Sequence, residues 1–194
     1  VKKTILTTML VFILTNPASA QLPSKPFSIY IQGGLSAPQE DFNSLYKLGY
    51  HGAAGIGFSV FPRLEAAPRV SYHKFSPESD AALLDLESLV DFDGGDLTMI
   101  MYGVDLKLNL GLVLTHPYLL AGYGRARFDI EDVTFSLSGV EHTETFDAYT
   151  DSYWVLAGGL EFTRTFVEGR YITFLDGDDD GARRLITLSV GLRL

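Results

Sequence analysis

Over residues 184–194 the side chains alternate one by one. Ile186, Leu188, Val190, Leu192 and Leu194 fall on one parity; Leu185, Thr187, Ser189, Gly191 and Arg193 fall on the other. A period of two puts the two sets on opposite faces of a strand, and no helix produces it. One face is wholly apolar, while the other carries hydroxyls, a glycine and an arginine. Such a strand needs a hydrogen-bonding neighbour on both edges, because an open apolar edge invites aggregation. A sheet closed on itself supplies both neighbours. With the apolar face outward it also satisfies every backbone group inside a lipid layer.

The same alternation recurs in seven earlier segments, near 27–35, 50–61, 64–75, 97–113, 118–128, 152–162 and 165–174. The connections between the eight alternate in length: 36–49, 76–96, 129–151 and 175–183 are long, while 62–64, 114–117 and 163–164 are short. Short turns at one rim and long loops at the other mark an up-and-down transmembrane barrel. The expected fold is therefore all-β, an eight-stranded antiparallel up-and-down transmembrane β-barrel.

Placing the apolar sets outside leaves Arg184, at a strand end, as the one outward charge. A mid-bilayer Arg or Lys on the lipid face costs about 2–4 kcal/mol, which gives that near-absence meaning. The remaining strand charges are expected in the lumen: Glu65, Arg69, Asp105, Lys107, Arg125, Arg127, Glu161, Glu168, Arg170 and Arg193. Hairpin parity fixes this scheme, because a slip of one residue exchanges the two faces. Phe162 is set against Thr165, Phe61 against Glu65, and Leu114 against Tyr118; the last pairing sets Asp105 opposite Arg127. The interior of an eight-stranded barrel is just wide enough for side chains to fill, so these charges are read as an ion-paired plug. A small-solute, porin-like pore through the same lumen is the alternative. Pro68 falls on an outward position and predicts an irregular ladder there.

Aromatics are expected at the lipid–water boundaries: Phe27, Tyr118 and Phe162 at the turn end, and Tyr50, Tyr72, Phe128, Trp154 and Tyr171 at the loop end. The long loops are acidic. Residues 76–96 and 129–151 each carry seven acids and no Lys or Arg, and loops hold 20 of the 24 acids. Residues 129–151 also alternate around Ser138-Gly139, which predicts a hairpin beyond the barrel.

Other motifs narrow the function. Val1-Lys2-Lys3, an apolar run and Ala18-Ser19-Ala20 predict a cleaved signal peptide over 1–20, with the barrel domain at 21–194. The chain has no cysteine and a formal net charge of −9. That acidity argues against nucleic acid, whose binders carry basic patches. Asp176–Gly181 resembles the first half of a calcium loop, but the twelfth position is Thr187 instead of a bidentate Glu. His51 and His73 have no evident third ligand, so neither a metal nor a cofactor is expected. A lipid-modifying enzyme needs a His–Ser–acid set facing lipid; His73 with Ser76 is the only close pair, and His73 faces inward. Inward charges contradict a soluble barrel with an apolar interior.

Ser28–Leu35, Gly49–Phe58, Pro117–Gly124 and Glu168–Tyr171 together resemble the small outer-membrane β-barrel family that includes the OmpA transmembrane domain and OmpX-like proteins. The resemblance covers residues 21–194. It implies residence in the bacterial outer membrane as a monomer, contact with lipid and lipopolysaccharide, assembly by the barrel-assembly machinery, and a structural or surface-ligand role without catalysis.

Overall fold

The computed structural model describes residues 27–77, 90–111, 115–137, 140–175 and 183–194. The expected signal peptide, the turn at Ser138-Gly139 and the Asp176–Asp180 run lie outside them. Eight long strands form the barrel: β1 (Phe27–Gln39), β2 (Gly49–Phe61), β3 (Leu64–Phe75), β5 (Leu97–Asn109), β6 (His116–Ile130), β9 (Tyr149–Phe162), β10 (Thr165–Phe174) and β11 (Arg184–Arg193). Each pairs antiparallel with its sequence neighbour in the barrel, and β11 closes the ring on β1. Three short strands, β4 (Val90–Gly94), β7 (Val133–Leu137) and β8 (Val140–Glu144), make a separate sheet in the order β4-β7-β8 at the loop end. The predicted hairpin is thus β7–β8, and it recruits β4 from the preceding long loop. One helical turn, α1 (Asp41–Leu45), lies between β1 and β2.

The terminal strand finds both of its expected neighbours. Leu188 is set against Leu35 on β1 and against Gly169 on β10. Ile186, Leu188, Val190 and Leu192 are exposed on the outside, while Leu185, Thr187, Ser189 and Gly191 are buried inside. Beyond Phe162 the chain turns through Thr163-Arg164, with Thr163 in the left-handed region (φ 56), and Phe162 pairs with Thr165 as parity requires. The β2–β3 hairpin does not set Phe61 against Glu65 as expected: a bulge between Ser59 and Phe61 pairs Glu65 with Ser59 and Phe61 with Leu64, and Phe61 is exposed. Its ladder also breaks between Gly55–Arg69 and Phe58–Ala66, leaving Pro68 unpaired towards β2. That is the irregularity a proline without an N–H demands.

The third hairpin corrects the expected faces. Asn109 pairs with Tyr118, and Asp105 lies opposite Gly122, not Arg127. The offset between the two registers is odd, so every side chain of β6 changes sides. β5 ends at Asn109 and β6 starts at His116, with Gly111 in the left-handed region (φ 57), so the connection is longer than the three-residue turn expected. Packing explains the preference. The inward row of β6 contains Gly122, Gly124 and Ala126, and it faces the bulk of Asp105 and Tyr153. A Cβ on Gly122 would sit 2.2 Å from Asp105 Oδ1, and one on Gly124 2.7 Å from Tyr153 Oη. Tyr118, Leu120 and Phe128 therefore point inward and are buried, whereas Leu119, Tyr123, Arg125 and Arg127 point outward and are exposed.

Candidate functional site

The lumen is filled in layers. At the turn end Lys107 Nζ donates to Glu161 Oε2 (2.7 Å), and Arg193 bridges Glu161 Oε1 (2.8 Å) and Glu65 Oε2 (2.9 Å). The Tyr30 hydroxyl donates to the other oxygen of Glu65. Lys107 also lies 4.1 Å from the centre of the Tyr118 ring, a cation–π contact.

The middle layer centres on Glu168. Arg170 Nε donates to Glu168 Oε1 (2.6 Å), and its Nη2 donates to Asp105 Oδ2 (2.6 Å). Arg69 Nη1 reaches the same Glu168 oxygen at 3.3 Å and lies 3.9 Å from Asp105. Tyr118 donates to Glu168 Oε2 (2.9 Å), and Gln32 donates to Glu168 (3.3 Å) and Ser189 (3.0 Å). Glu65, Asp105, Lys107, Glu161, Glu168 and Arg170 are all buried.

Among the described residues the turn-end and middle layers thus hold four acids (Glu65, Asp105, Glu161, Glu168) and four bases (Arg69, Lys107, Arg170, Arg193), all ion-paired, and a further buried acid, Asp151, pairs with Arg183 nearer the loop end (2.7 Å). Arg125 and Arg127, expected in this network, are not part of it. Their departure leaves the network electrically balanced, which is what makes its six buried charges tolerable: an unpaired one would carry its full desolvation cost.

Above this layer His51 and His73 stack with ring centres 5.0 Å apart. Each Nδ1 lies 3.0 Å from Ser36 Oγ, while His51 Nε2 meets Ser189 Oγ (2.9 Å) and His73 Nε2 meets Ser71 Oγ (3.1 Å). Every ring nitrogen of the pair has a serine partner. His73 is buried on the inside and Ser76 is exposed beyond the end of β3, so the two do not form a lipid-facing pair.

An apolar layer shuts the loop end. Phe42 from α1 packs on Phe75 (5.6 Å between ring centres) and on Tyr46 (5.4 Å), and Phe128 packs on Phe174 (5.1 Å). Leu97, Met99, Ile172 and Leu185 complete a buried cluster across the barrel. Burial pushes the Tyr46 phenol above its usual range. The space left below is ≈ 40 Å³, lined by Tyr30, Gln32, Glu65, Arg69, Asp105 and Lys107 among others. It has room for a few waters.

Outside, the barrel presents an aliphatic belt. Phe27 and Phe162 are exposed at the turn end, and Tyr50, Tyr72 and Tyr171 at the loop end, with Trp154 half-buried against Tyr171. Tyr118 is not an interfacial ring. Buried in the lumen, it is replaced on the outer face of β6 by Tyr123, which is 59% exposed and sits opposite Trp154. The outward charges collect at the loop end. Lys74 pairs with Asp96 (3.0 Å) and Arg184 with Glu40, while Arg125, Arg127 and Asp129 line the upper part of β6.

Sequence reasoning missed three things. The roles of Tyr30 and Gln32 carried no motif. The placement of Tyr118 and of the two arginines was hidden by a β6 segment with apolar residues on both parities. The signal that could have found them is the Gly122/Gly124/Ala126 row, since small residues belong on the crowded inner face of a narrow barrel.

No protein-family model matches the chain, and no curated protein matches it. Among solved structures it is similar to neisserial surface protein A, NspA, at 14% identity over 88% of this chain and 97% of that one, with a TM-score of 0.56. Ail of Yersinia pestis (17% identity, 87% and 97% covered, TM-score 0.48) and the N-terminal β-barrel domain of Pseudomonas aeruginosa OprF (17%, 86% and 97%, 0.46) are further neighbours. In fold, the chain is similar to the small eight-stranded outer-membrane β-barrels.

Proposed function

We propose that the protein is an integral barrel of the bacterial outer membrane, exported through a cleaved signal peptide and inserted by the barrel-assembly machinery. Its long loops face outward. It acts there as a structural or surface-interaction protein, in contact with lipopolysaccharide, without catalysis and without carrying solutes. The observation behind this reading is the lumen. A neutral ion-pair plug fills it, and the Phe42–Phe75–Phe128–Phe174 layer closes it on the loop side. The β4-β7-β8 sheet gives the loop end a folded surface of its own, set among acidic loops suited to basic or cation-bridged ligands.

Planar-bilayer recording tests the reading. Purified, folded barrel is expected to give no discrete conductance steps. Reproducible steps that scale with inserted protein would overturn it in favour of the porin-like pore.

A further inference from the structure

Arg125 and Arg127 differ from the other outward cations of the barrel strands. They project from β6 on alternate positions directly loopward of Tyr123, and both are exposed. Residues two apart on a strand lie about 7 Å from each other on one face. Lys74 and Arg184, the other outward cations of the strands, each have an acid partner, Asp96 and Glu40. Among the described residues no carboxylate lies within ion-pair distance of Arg125 or Arg127, although Asp129 follows on the same face. Tyr102 on β5 sits opposite Arg125, and Thr150 on β9 sits opposite Arg127, adding exposed hydroxyls to the patch.

Depth decides what such a pair can meet. Below it on the same face lie Tyr123 and Trp154, rings of the kind that settle at the lipid–water boundary. The arginines begin one alternate position above that level, and their long side chains reach further towards water. They therefore stand in the headgroup layer, with apolar chains below and acidic loops above. The loops carry no matching attraction for an anion from solution, and the formal net charge of the chain is −9. An anion tethered in the membrane plane reaches the pair without crossing those loops. Guanidinium forks match phosphate oxygens in bidentate fashion, and two of them about 7 Å apart suit a headgroup carrying more than one phosphate oxygen face.

We propose that Arg125 and Arg127, flanked by Tyr102, Tyr123 and Thr150, form a docking site for the phosphorylated headgroup of a glycolipid in the outer leaflet. The site rests on the reading that the loop end faces outward in the outer membrane. It names the lipid-contacting patch of that barrel and the chemical group it holds.

The test uses the full mature chain folded in phosphatidylcholine vesicles doped with bis-phosphorylated lipid A, with lipid retention counted by native mass spectrometry. The wild-type protein retains phosphorylated lipid A and discriminates against the dephosphorylated form. Arg125→Gln/Arg127→Gln lowers the affinity about thirtyfold, the expectation for two surface cations acting together. Arg125→Lys/Arg127→Lys falls between the two, because the charge is kept and the bidentate fork is lost. Arg63→Gln/Arg164→Gln, the same charge change at the opposite rim, leaves it unchanged. Equal retention of dephosphorylated lipid A by the wild-type chain overturns the proposal without any variant having to fold, and so does undiminished retention by the double Gln variant. Neither result touches conductance, so the site can fail while the closed-barrel reading stands, and the reverse.

Discussion

Arg170 is the side chain on which the middle of the lumen turns. Its Nε and Nη2 hold Glu168 and Asp105 at 2.6 Å each, so one guanidinium spaces two buried carboxylates that would otherwise repel. Arg69 contacts the same two acids at 3.3 and 3.9 Å, a looser grip that cannot replace it. Arg170→Ala leaves both acids under-compensated, and removal of one partner from a buried ion-pair set costs about 3–5 kcal/mol. The urea midpoint of the variant, read from the migration difference between folded and unfolded barrel on gels, is expected to fall accordingly. A midpoint equal to wild type would mean that the network is not holding the strands together. Tyr118, which contacts Lys107 and donates to Glu168, links this layer to the Glu65, Glu161 and Lys107 cluster, so the effects of Lys107→Met and Arg170→Ala on the same midpoint should depart from additivity.

At the level of the strand, β6 decides the interior. Its register places Leu119, Ala121 and Tyr123 outward and Leu120, Gly122 and Gly124 inward. The chain contains no cysteine, so single cysteines report position without interference. Leu119→Cys, Ala121→Cys and Tyr123→Cys, carrying a fluorophore, are expected to be quenched by lipid-phase quenchers, and Leu120→Cys is expected to be silent; the opposite alternation would restore the face on which Arg127 meets Asp105. The same strand marks the limit of what was legible in the sequence. On a strand such as β11 the face follows from which parity is apolar, as with Ile186, Leu188 and Val190. β6 reads Tyr-Leu-Leu-Ala-Gly-Tyr over 118–123, apolar on both parities, so its face rested on a guessed turn length. Charge could not arbitrate, because an arginine looks equally reasonable in an ion-paired lumen and in a headgroup layer. The hydrogen-bond partners of Glu168 were illegible for a different reason: Gln32, Arg69 and Tyr118 come from three strands, and only the register brings them together.

As a whole, the molecule separates its charges by compartment. The lumen is balanced, the belt is neutral, and the surplus of acid sits at the loop end with the β4-β7-β8 sheet. Stability and recognition can therefore vary independently: the long loops can change sequence without disturbing the ion pairs, and the plug can be retuned without altering the face shown to the surroundings. The ring closure has a further consequence. Leu194 exchanges both backbone hydrogen bonds with Ile29, N to O at 2.9 Å and 3.2 Å, so the two ends of the barrel lie side by side at the turn end. A closed ring of strands has no intrinsic first member. Joining the end of β11 to the start of β1 through a short flexible linker, and opening the chain at Pro62-Arg63 instead, should yield a permuted protein with the same heat-modifiable gel migration. Failure of that permuted chain to fold would mean that the order in which the strands are delivered, and not only their final neighbours, is written into the sequence.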